Sequence, residues 1–381
     1  MRRKKLCFVV AVPLTAHSFL HDHIAALAKE YDIYLVGDVN CDADLAGLAL
    51  TGWHHVGIER NISLWRDIKA VFAARRYFKK MRFDAVHSVT PKAGLIAALA
   101  GKKAGIKHRT HIFTGQVWCT RKGVIRSLLK SIDKVIARCD NHVLVDGKSQ
   151  RDFLVKEGVL REGQAEVFGH GSISGVNSVR FAPDVDARTE IRAKVGIKDN
   201  MVCFVFLGRL NRDKGIQELY EAYNRIAEEM KDVFLLLVGP DEDGFAKRAF
   251  DYNNIDSGNC CYFGSTPTPE KVLNAGDVFV LPTYREGFGT SVLEAASVGL
   301  PCICSDVYGV KDAYVEGETG LLCHVGDADS LYLCMKQMHD NPEMMRDMGR
   351  RSRERALRDF NGAELTECWV EFYHSLLGTD N

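Results

Sequence analysis

Short apolar runs alternate with segments of helical periodicity along nearly the whole chain. Continuous apolar runs of four to seven residues are typical of strands that are buried on both faces of a parallel sheet. The predicted strands are residues 6–12, 33–36, 85–88, 109–113, 142–145 and 166–168 in the first half, and 202–207, 233–238, 260–263, 278–281, 301–304 and 320–323 in the second. Helices fit between them, for example at 215–230 and 290–298. This alternation predicts an α/β fold.

The alternation is interrupted near the middle of the chain. Residues 169–177 are rich in glycine and serine, and a turn-prone connection follows at 181–184. A chain of 381 residues with 46% hydrophobic content is long enough for two domains. We therefore predict one domain at 1–180 and a second at 181–357. The closing stretch, from about 340 to 377, is helical and has no strand partner.

Charge is divided between the two halves. Residues 1–180 carry 29 basic and 16 acidic residues, and the remainder carries 21 and 34. The halves therefore have net charges of +13 and −13, although the whole chain is neutral. Such an asymmetry suggests two domains with different partners.

The N-terminus has some features of a secretory signal. A basic start at 2–5 is followed by seven apolar residues, but Pro13 comes next, and no small-residue cleavage site stands out. A buried strand is the favoured interpretation, and no run is long enough for a membrane-spanning helix. The twelve cysteines show no metal-ligand spacing, which indicates reduced, buried thiols in a cytosolic protein.

Two basic residues follow the predicted strand 202–207. Arg209 comes just after its end, and Lys214 precedes the next helix. Ligands of open α/β sheets bind at the carboxyl ends of strands, where a guanidinium and an ammonium group suit a diphosphate. An ordinary polar loop explains the same residues equally well when they are considered alone.

Residues 281–296 make the phosphate interpretation stronger. They run from a strand end through a loop with Gly287 and Gly289 into a helix that begins at Thr290 and Ser291. The glycines allow the backbone to approach a ligand closely, and the free amides of a helix start bind anions.

Two carboxylates lie in the same segment. Glu286 is in the loop, where it could hold sugar hydroxyls, and Glu294 is about one turn into the helix, where it could accept hydrogen bonds from ribose. The alternatives are a solvated loop charge for Glu286 and an acid favoured by the helix dipole for Glu294.

The motifs Gly208-Arg209…Lys214-Gly215 and Glu286-x7-Glu294 resemble the donor-site signature of the retaining glycosyltransferases of family 4. Further agreement is found at 238–240, 263–264, 275–277, 318–320 and in the closing helix. The resemblance covers nearly the whole chain. It implies a GT-B fold, in which two Rossmann-like domains face each other across a cleft and the last helix, from about 358 to 381, crosses back to the first domain.

The resemblance also implies roles for individual residues. Arg209 and Lys214 would bind the diphosphate, Glu294 the ribose, and a residue near Thr266 the base, for which uracil is expected. Sugar and phosphate would contact Glu286 and the backbone of Phe288, Gly289, Thr290, Ser291 and Val292. The activity would be hexosyl or N-acetylhexosaminyl transfer from a UDP-sugar.

The first half resembles narrower relatives that build capsule, O-antigen or lipid-linked oligosaccharide, through residues 87–94, 114–118 and 171–176. This implies a polyprenyl-diphosphate-linked saccharide as acceptor. Two departures from the family pattern stand out. The first strand is followed by a loop at 15–19 without the usual two glycines, where Ser18 is the expected donor contact. Thr114 occupies the place of a frequent catalytic histidine. His111 is close by, and a histidine packed at the strand end is at least as good an interpretation for it.

Residues 60–82 carry eight basic residues and one acid, Asp67. Ile62, Trp65, Ile68, Phe72 and Phe78 interleave with them at near-helical spacing. Such a helix suits an anionic membrane surface, although a helix with one packed face and one solvated face fits as well. We favour membrane contact, and expect the protein in the cytoplasm, bound peripherally to the inner face of the membrane.

No metal or other cofactor is expected, because cations and helix amides would carry the phosphate charge; Asp42-Ala-Asp44 lies far from the donor segment. Nucleic acid is not an expected partner. No GxGxxG motif follows a strand, which disfavours a dehydrogenase. A catalytically silent sugar-nucleotide-binding subunit and a nucleotide-sugar epimerase of the same fold remain alternatives.

Overall fold

A computed structural model describes residues 2–58, 63–249 and 259–378. The chain divides into two compact units: unit 1 comprises Met1–Ser174 with Gly362–Asn381, and unit 2 comprises Gly175–Asn361. The predicted boundaries were 180/181 and 357/358. The division lies at different residues because Val176 and Phe360 both pack in the core of unit 2, where Val176 donates its N–H to the Phe360 carbonyl (2.8 Å).

Unit 1 contains one parallel sheet of seven strands in the order β3-β2-β1-β4-β5-β6-β7. Buried residues alternate along β1, so that Leu6 and Phe8 face one helix layer while Cys7 and Val9 face the other. The strands are β1 (Lys5–Val9), β2 (Asp32–Gly37), β3 (Gly52–His55), β4 (Ala85–Val89), β5 (His108–Phe113), β6 (His142–Val145) and β7 (Ala165–Glu166).

Two layers of helices cover this sheet. Trp369 and Tyr373 of the closing helix are fully buried against β1 and β4, which places that helix in unit 1. One layer contains α1 (Pro13–Phe19), α2 (His21–Leu27) and α15 (Gly362–Leu377); the other contains α3 (Leu64–Met81), α4 (Pro91–Ala104), α5 (Gly123–Cys139) and α6 (Lys148–Lys156).

Unit 2 contains a second parallel sheet, in the order β10-β9-β8-β11-β12-β13. Its strands are β8 (Val202–Leu207), β9 (Val233–Val238), β10 (Cys260–Gly264), β11 (Val278–Leu281), β12 (Cys302–Ser305) and β13 (Gly320–Cys323). Its helices are α7 (Val185–Val195), α8 (Ile216–Glu229), α9 (Phe245–Ala249), α10 (Pro269–Leu273), α11 (Thr290–Ser297), α12 (Val310–Ala313), α13 (Ala328–Asp340) and α14 (Pro342–Asp359).

The start of the chain differs from the prediction. The first strand ends at Val9 instead of residue 12, and α1 occupies 15–19, where a loop was expected. Pro13 explains the difference because its fixed φ and missing N–H suit the first position of a helix. All twelve cysteines lie within the described ranges and are free, and eight of them are buried.

Candidate active site

The loops that follow β8 and β11 form the centre of the site in unit 2. These strands are neighbours in the sheet, so both loops leave the same edge. Gly215, with φ +69°, lies against the Pro282 carbonyl oxygen so closely that a Cβ would collide with it. The Asp213 carbonyl accepts hydrogen bonds from the Thr283 hydroxyl (3.0 Å) and the Tyr284 N–H (2.8 Å). The two loops therefore form one packed unit.

Lys214 and Glu286 form an ion pair inside this unit. Lys214 ends a short 3-10 turn at Arg212–Lys214, and Glu286 lies between β11 and α11. Both side chains are mostly buried. The structure thus brings together two residues that are 72 positions apart and that were predicted to hold phosphate and sugar.

Arg209 lies on the same sheet edge but has a different partner. Its guanidinium donates to both carboxylate oxygens of Glu242 (3.0 and 3.2 Å), and the Asn211 amide donates to Glu242 as well (2.9 Å). Each of the two predicted diphosphate cations is therefore paired with an acid. Sequence reasoning missed Glu242, whose one signal is its position four residues after the end of β9.

The start of α11 lies directly after Glu286. Gly289, with φ +89°, is the residue before the helix, and Gly309 approaches the Gly287 carbonyl so closely that no Cβ would fit there. Phe288 and Val292 have buried side chains, so only their backbone can face a ligand. Thr290 and Ser291 are partly exposed in the first turn. The predicted segment therefore offers amides and two hydroxyls at a helix start, as an anion requires.

Glu294 lies one turn further along α11. Burial raises the pKa of its carboxyl to about 7; Arg180 acts in the opposite direction and Glu270 adds to the increase. Among the described residues, no group donates a hydrogen bond to this carboxylate. A desolvated, unpaired carboxylate is suited to a ligand that supplies hydroxyl donors.

Thr266 lies in the loop after β10, and its hydroxyl accepts the Thr268 N–H (3.1 Å). Arg180 donates to the Pro267 carbonyl (3.0 Å) and to Glu270 (3.0 Å), which fixes this loop beside Glu294. Arg180 was missed at the sequence level because it lies in a turn-rich connection with no motif of its own.

Thr114 follows β5 in unit 1. Its carbonyl oxygen accepts hydrogen bonds from the side-chain amides of Gln116 and Gln150, each at 2.6 Å. The backbone is thereby held, and the side chain remains partly exposed at the carboxyl end of the strand.

His111 is a packed residue within β5. Its Nδ1 lies 2.9 Å from the Ser88 hydroxyl. The ring packs against Gly94, where the Cβ of any other residue would collide with it. Burial lowers its pKa to about 3, so it stays neutral. The packed-histidine interpretation fits this environment, whereas Thr114 lies at the strand end where ligands bind.

Ser18 is exposed, near the end of α1. Residues 15–19 were expected to form a loop and are helical, and a helix directs its N–H groups along its own axis. Only the Ser18 hydroxyl is available to a ligand.

The Asp42-Ala-Asp44 segment has a local structural role. Asp42 accepts the Trp53 indole N–H (2.6 Å), and Asp44 accepts the Asn40 N–H (2.9 Å). In the described ranges, no cluster of three or more His, Cys, Asp or Glu side chains is arranged to hold a metal ion.

Comparison with known families agrees with this geometry. Residues 187–355 match the family described as glycosyl transferases group 1, and residues 18–171 match the glycosyl transferase 4-like domain. The first match covers most of unit 2, and the second covers unit 1 except its first strand and the closing helix. The chain is a glycosyltransferase, with the group 1 domain in unit 2 and the glycosyl transferase 4-like domain in unit 1. The predicted enzyme class and GT-B fold are thereby confirmed.

Several relatives of this glycosyltransferase have assigned activities. It is 27% identical to the capsular polysaccharide biosynthesis glycosyltransferase CapM of Staphylococcus aureus, over 85% of each chain. It is 28% identical to UDP-Gal:α-D-GlcNAc-diphosphoundecaprenol α-1,3-galactosyltransferase of Escherichia coli, over 79% of this chain and 78% of the relative. The structure of Anabaena HepE in complex with UDP and glucose superposes with a TM-score of 0.80 at 14% identity, covering 98% of this chain and 100% of that one.

The predicted membrane segment has two faces in the structure. Trp65, Ile68 and Phe72 of α3 are exposed, whereas Phe78, which was grouped with them, is fully buried in the core. Residues 60–62 lie outside the described residues. No helix of the described ranges has the length and apolar composition needed to cross a membrane.

Proposed function

We propose that this glycosyltransferase moves a sugar from a UDP-sugar to a polyprenyl-diphosphate-linked saccharide, with retention of the anomeric configuration. The observation that carries the proposal is the packed pair of loops that joins Lys214 to Glu286 directly before the start of α11. Cations and helix amides are thereby concentrated where a diphosphate leaving group needs them.

The nature of the donor is inferred from Glu294, one turn into α11. The unpaired Glu294 carboxylate is suited to two ribose hydroxyls, and Thr266 lies on the loop beside it. A nucleoside would extend from there, with its diphosphate directed to Thr290 and Ser291. UDP is the nucleotide named with the HepE structure, and UDP-Gal is the donor in the name of the Escherichia coli relative.

The reaction exchanges one bond at the anomeric carbon for another. The bond from C1 to the β-phosphate oxygen breaks, and an acceptor hydroxyl oxygen forms a new bond to C1 on the same face. The hydroxyl proton passes to the leaving phosphate. Arg209, Lys214 and the start of α11 would stabilise the charge that develops on the diphosphate, while Glu286 would hold sugar hydroxyls. This scheme needs no metal, and we propose that transfer proceeds without one.

The acceptor proposal rests on the relatives and on unit 1. The Escherichia coli relative is named for a diphosphoundecaprenol-linked acceptor, and CapM for capsular polysaccharide. A polyprenyl chain lies in a bilayer, so the enzyme must meet a membrane surface. The exposed Trp65, Ile68 and Phe72, next to the basic residues of α3, are suited to that contact at the inner face of the cytoplasmic membrane.

The test is a transfer assay with purified protein, a panel of nucleotide sugars and a short-chain polyprenyl-diphosphate saccharide. Proton NMR of the product reports the anomeric configuration, and a Lys214→Ala variant reports dependence on the site. We expect one UDP-sugar to give a product with its donor's configuration. An inverted product would reject retention, and preference for another nucleotide would reject UDP.

The same assay addresses the two alternatives. A silent binding subunit would bind nucleotide but neither transfer nor hydrolyse any donor. An epimerase would change the donor sugar in the absence of acceptor, which NMR of the donor alone detects.

A further inference from the structure

The start of α5 exposes an apolar cluster that the donor and acceptor sites do not use. Val124, Ile125 and Leu128 lie on one face of its first turns, with side chains 84%, 61% and 57% exposed. Leu128 lies three residues after Ile125 and four after Val124, which makes it a neighbour of both on the helix surface. Three large aliphatic side chains exposed together indicate an interaction surface.

This cluster lies at the same sheet edge as the exposed residues of α3. In a parallel sheet, each crossover helix begins at the carboxyl edge of the strands, and α3, α4 and α5 are consecutive crossovers in one layer. Lys92, in the first turn of α4, pairs with Asp67 in the first turn of α3 (2.8 Å), which fixes those two starts together. The α5 cluster is therefore two helices away from Trp65 and Ile68, roughly 20 Å at common packing distances.

Charge distinguishes this layer from the opposite one. Helices α3, α4 and α5 together contain thirteen basic and two acidic residues, whereas α1, α2 and α15 contain four acidic residues and no lysine or arginine. Within unit 1, the cationic character of this face therefore comes with two exposed apolar clusters. The partner that matches both features is a surface with anionic head groups above a hydrocarbon layer.

The cations around the α5 cluster fall into two sets. Arg126 and Lys130 pair with Glu157 (2.8 and 2.6 Å), directly after α6, and lie over the Trp118 ring. These two cations therefore stabilise the packing of α5 within unit 1. Arg121 and Lys122 precede the helix and are exposed. The sequence contains no acid between residues 114 and 132. Within the part of the chain that the structure describes, neither Arg121 nor Lys122 forms an ion pair, so both are available to anionic head groups.

We infer that the start of α5 inserts Val124, Ile125 and Leu128 into an anionic bilayer and, with α3, forms a two-point membrane contact at the carboxyl edge of the first sheet. This inference rests on the proposed function, in which the acceptor is held in a bilayer. Two separated contacts resist rotation on the surface, so they would hold that sheet edge, where Thr114 lies, towards the acceptor.

The experiment measures binding of the full chain to vesicles of phosphatidylglycerol and phosphatidylcholine by co-sedimentation. Ile125→Glu combined with Leu128→Glu should weaken binding at least about tenfold, since inserting one large aliphatic side chain contributes that much or more. Leu333→Glu is the matched control, because Leu333 of α13 is also 61% exposed and lies in unit 2. It should bind as the wild type does.

A gain-of-signal variant makes the test independent of folding defects. The tryptophan fluorescence of Leu128→Trp should be quenched by vesicles with brominated acyl chains, and by more than the fluorescence of the wild type is quenched through Trp65. Absence of added quenching, or wild-type binding by the double glutamate variant, would overturn the inference. If the α5 cluster instead contacts a second copy of the chain, analytical sedimentation would show a dimer for the wild type and a monomer for Ile125→Glu. That result would also overturn the inference.

Transfer to a water-soluble acceptor separates this inference from the proposed function. We expect the double glutamate variant to keep wild-type kcat/KM on such an acceptor and to lose activity only on acceptor embedded in vesicles. If the wild type transfers nothing to any acceptor, the proposed function fails, while the vesicle measurements still decide the membrane contact.

Discussion

Gly215 and Pro282 are packed so tightly that a single Cβ on residue 215 would overlap the Pro282 carbonyl oxygen. This contact joins the loop that carries Lys214 to the loop that carries Glu286. Position 215 requires glycine for two reasons. Its φ of +69° is unfavourable for other residues, and the space that a Cβ would occupy is filled by Pro282.

Gly215→Ala should therefore destabilise unit 2 and impair the site. The positive φ alone costs about 1–2 kcal/mol, and the collision adds to it. Gly196→Ala is the matched control, because Gly196 also has a positive φ, +81°, but has open space around it. Thermal unfolding should show a clearly larger decrease in Tm for Gly215→Ala, together with weaker nucleotide binding. Equal decreases would mean that the contact with Pro282 does not matter.

Removing either predicted diphosphate cation should reduce catalysis. Arg209→Ala and Lys214→Ala should each lower kcat/KM about a hundredfold, or roughly 3 kcal/mol of transition-state stabilisation. Lys336→Ala, which removes an exposed lysine paired with Glu229 on the same unit, should have little effect. Steady-state kinetics on the identified donor would measure this. Near-wild-type rates in both site variants would reject the donor-site assignment.

Activity should survive removal of divalent metal. Arg209, Lys214 and the amides at the start of α11 are expected to carry the phosphate charge that a metal carries elsewhere. The measurement is the initial transfer rate before and after dialysis against excess EDTA. Complete loss of activity, restored by magnesium or manganese, would contradict the proposal.

Buried strands were the most predictable part of the fold. The apolar runs at 142–145, 202–207, 233–238, 278–281 and 320–323 coincide with β6, β8, β9, β11 and β13. By contrast, β3 was missed because Gly52-Trp-His-His55 is an edge strand without an apolar run. Periodicity reports burial, so a strand that is buried little leaves little signal.

The candidate site was predictable where one segment carries it. Glu286, Gly289 and Glu294 lie in one strand-loop-helix segment, and their order alone suggests a phosphate and sugar site. Glu242 and Arg180 belong to other loops. Glu242 follows β9, which neighbours β8 in the sheet, and Arg180 lies in the turn before α7. A single sequence does not contain those adjacencies.

Nucleoside binding should depend on pH through Glu294. Burial raises the pKa of this carboxyl to about 7 in the free protein. Two ribose hydroxyls donate hydrogen bonds, so the bound state favours the ionised carboxylate and binding releases a proton. Affinity should therefore increase as pH rises through about 7, and decrease by at most about tenfold per unit below it.

Uridine is the appropriate ligand for this measurement because it has no phosphate that titrates in the same range. Isothermal titration calorimetry between about pH 6 and 8 would give the profile. Glu294→Gln should bind uridine more weakly and with no such dependence. A profile that is flat in the wild type, or unchanged in the variant, would show that Glu294 does not contact the ribose.

Membrane binding through α3 should depend on charge and on salt. Arg75, Arg76, Lys79 and Lys80 belong to the basic helix layer, and each basic residue near an anionic surface contributes about 1 kcal/mol, screened by salt. Replacing all four by Glu should abolish binding to anionic vesicles. The fold should persist, because Ala70, Ala74 and Phe78, which pack in the core, are unchanged.

The control variant replaces exposed cations elsewhere by Glu, at Arg346, Arg350 and Arg351 of α14. It changes the net charge in the same direction, and we expect it to bind anionic vesicles as the wild type does. Co-sedimentation at low and high salt distinguishes a local contact from a general charge effect. The wild type should bind anionic vesicles, ignore neutral ones and be released by salt. If it ignores anionic vesicles too, α3 is a solvated helix face. The acceptor is then better sought among soluble saccharides, because an enzyme without membrane affinity would rarely meet a polyprenyl-linked one.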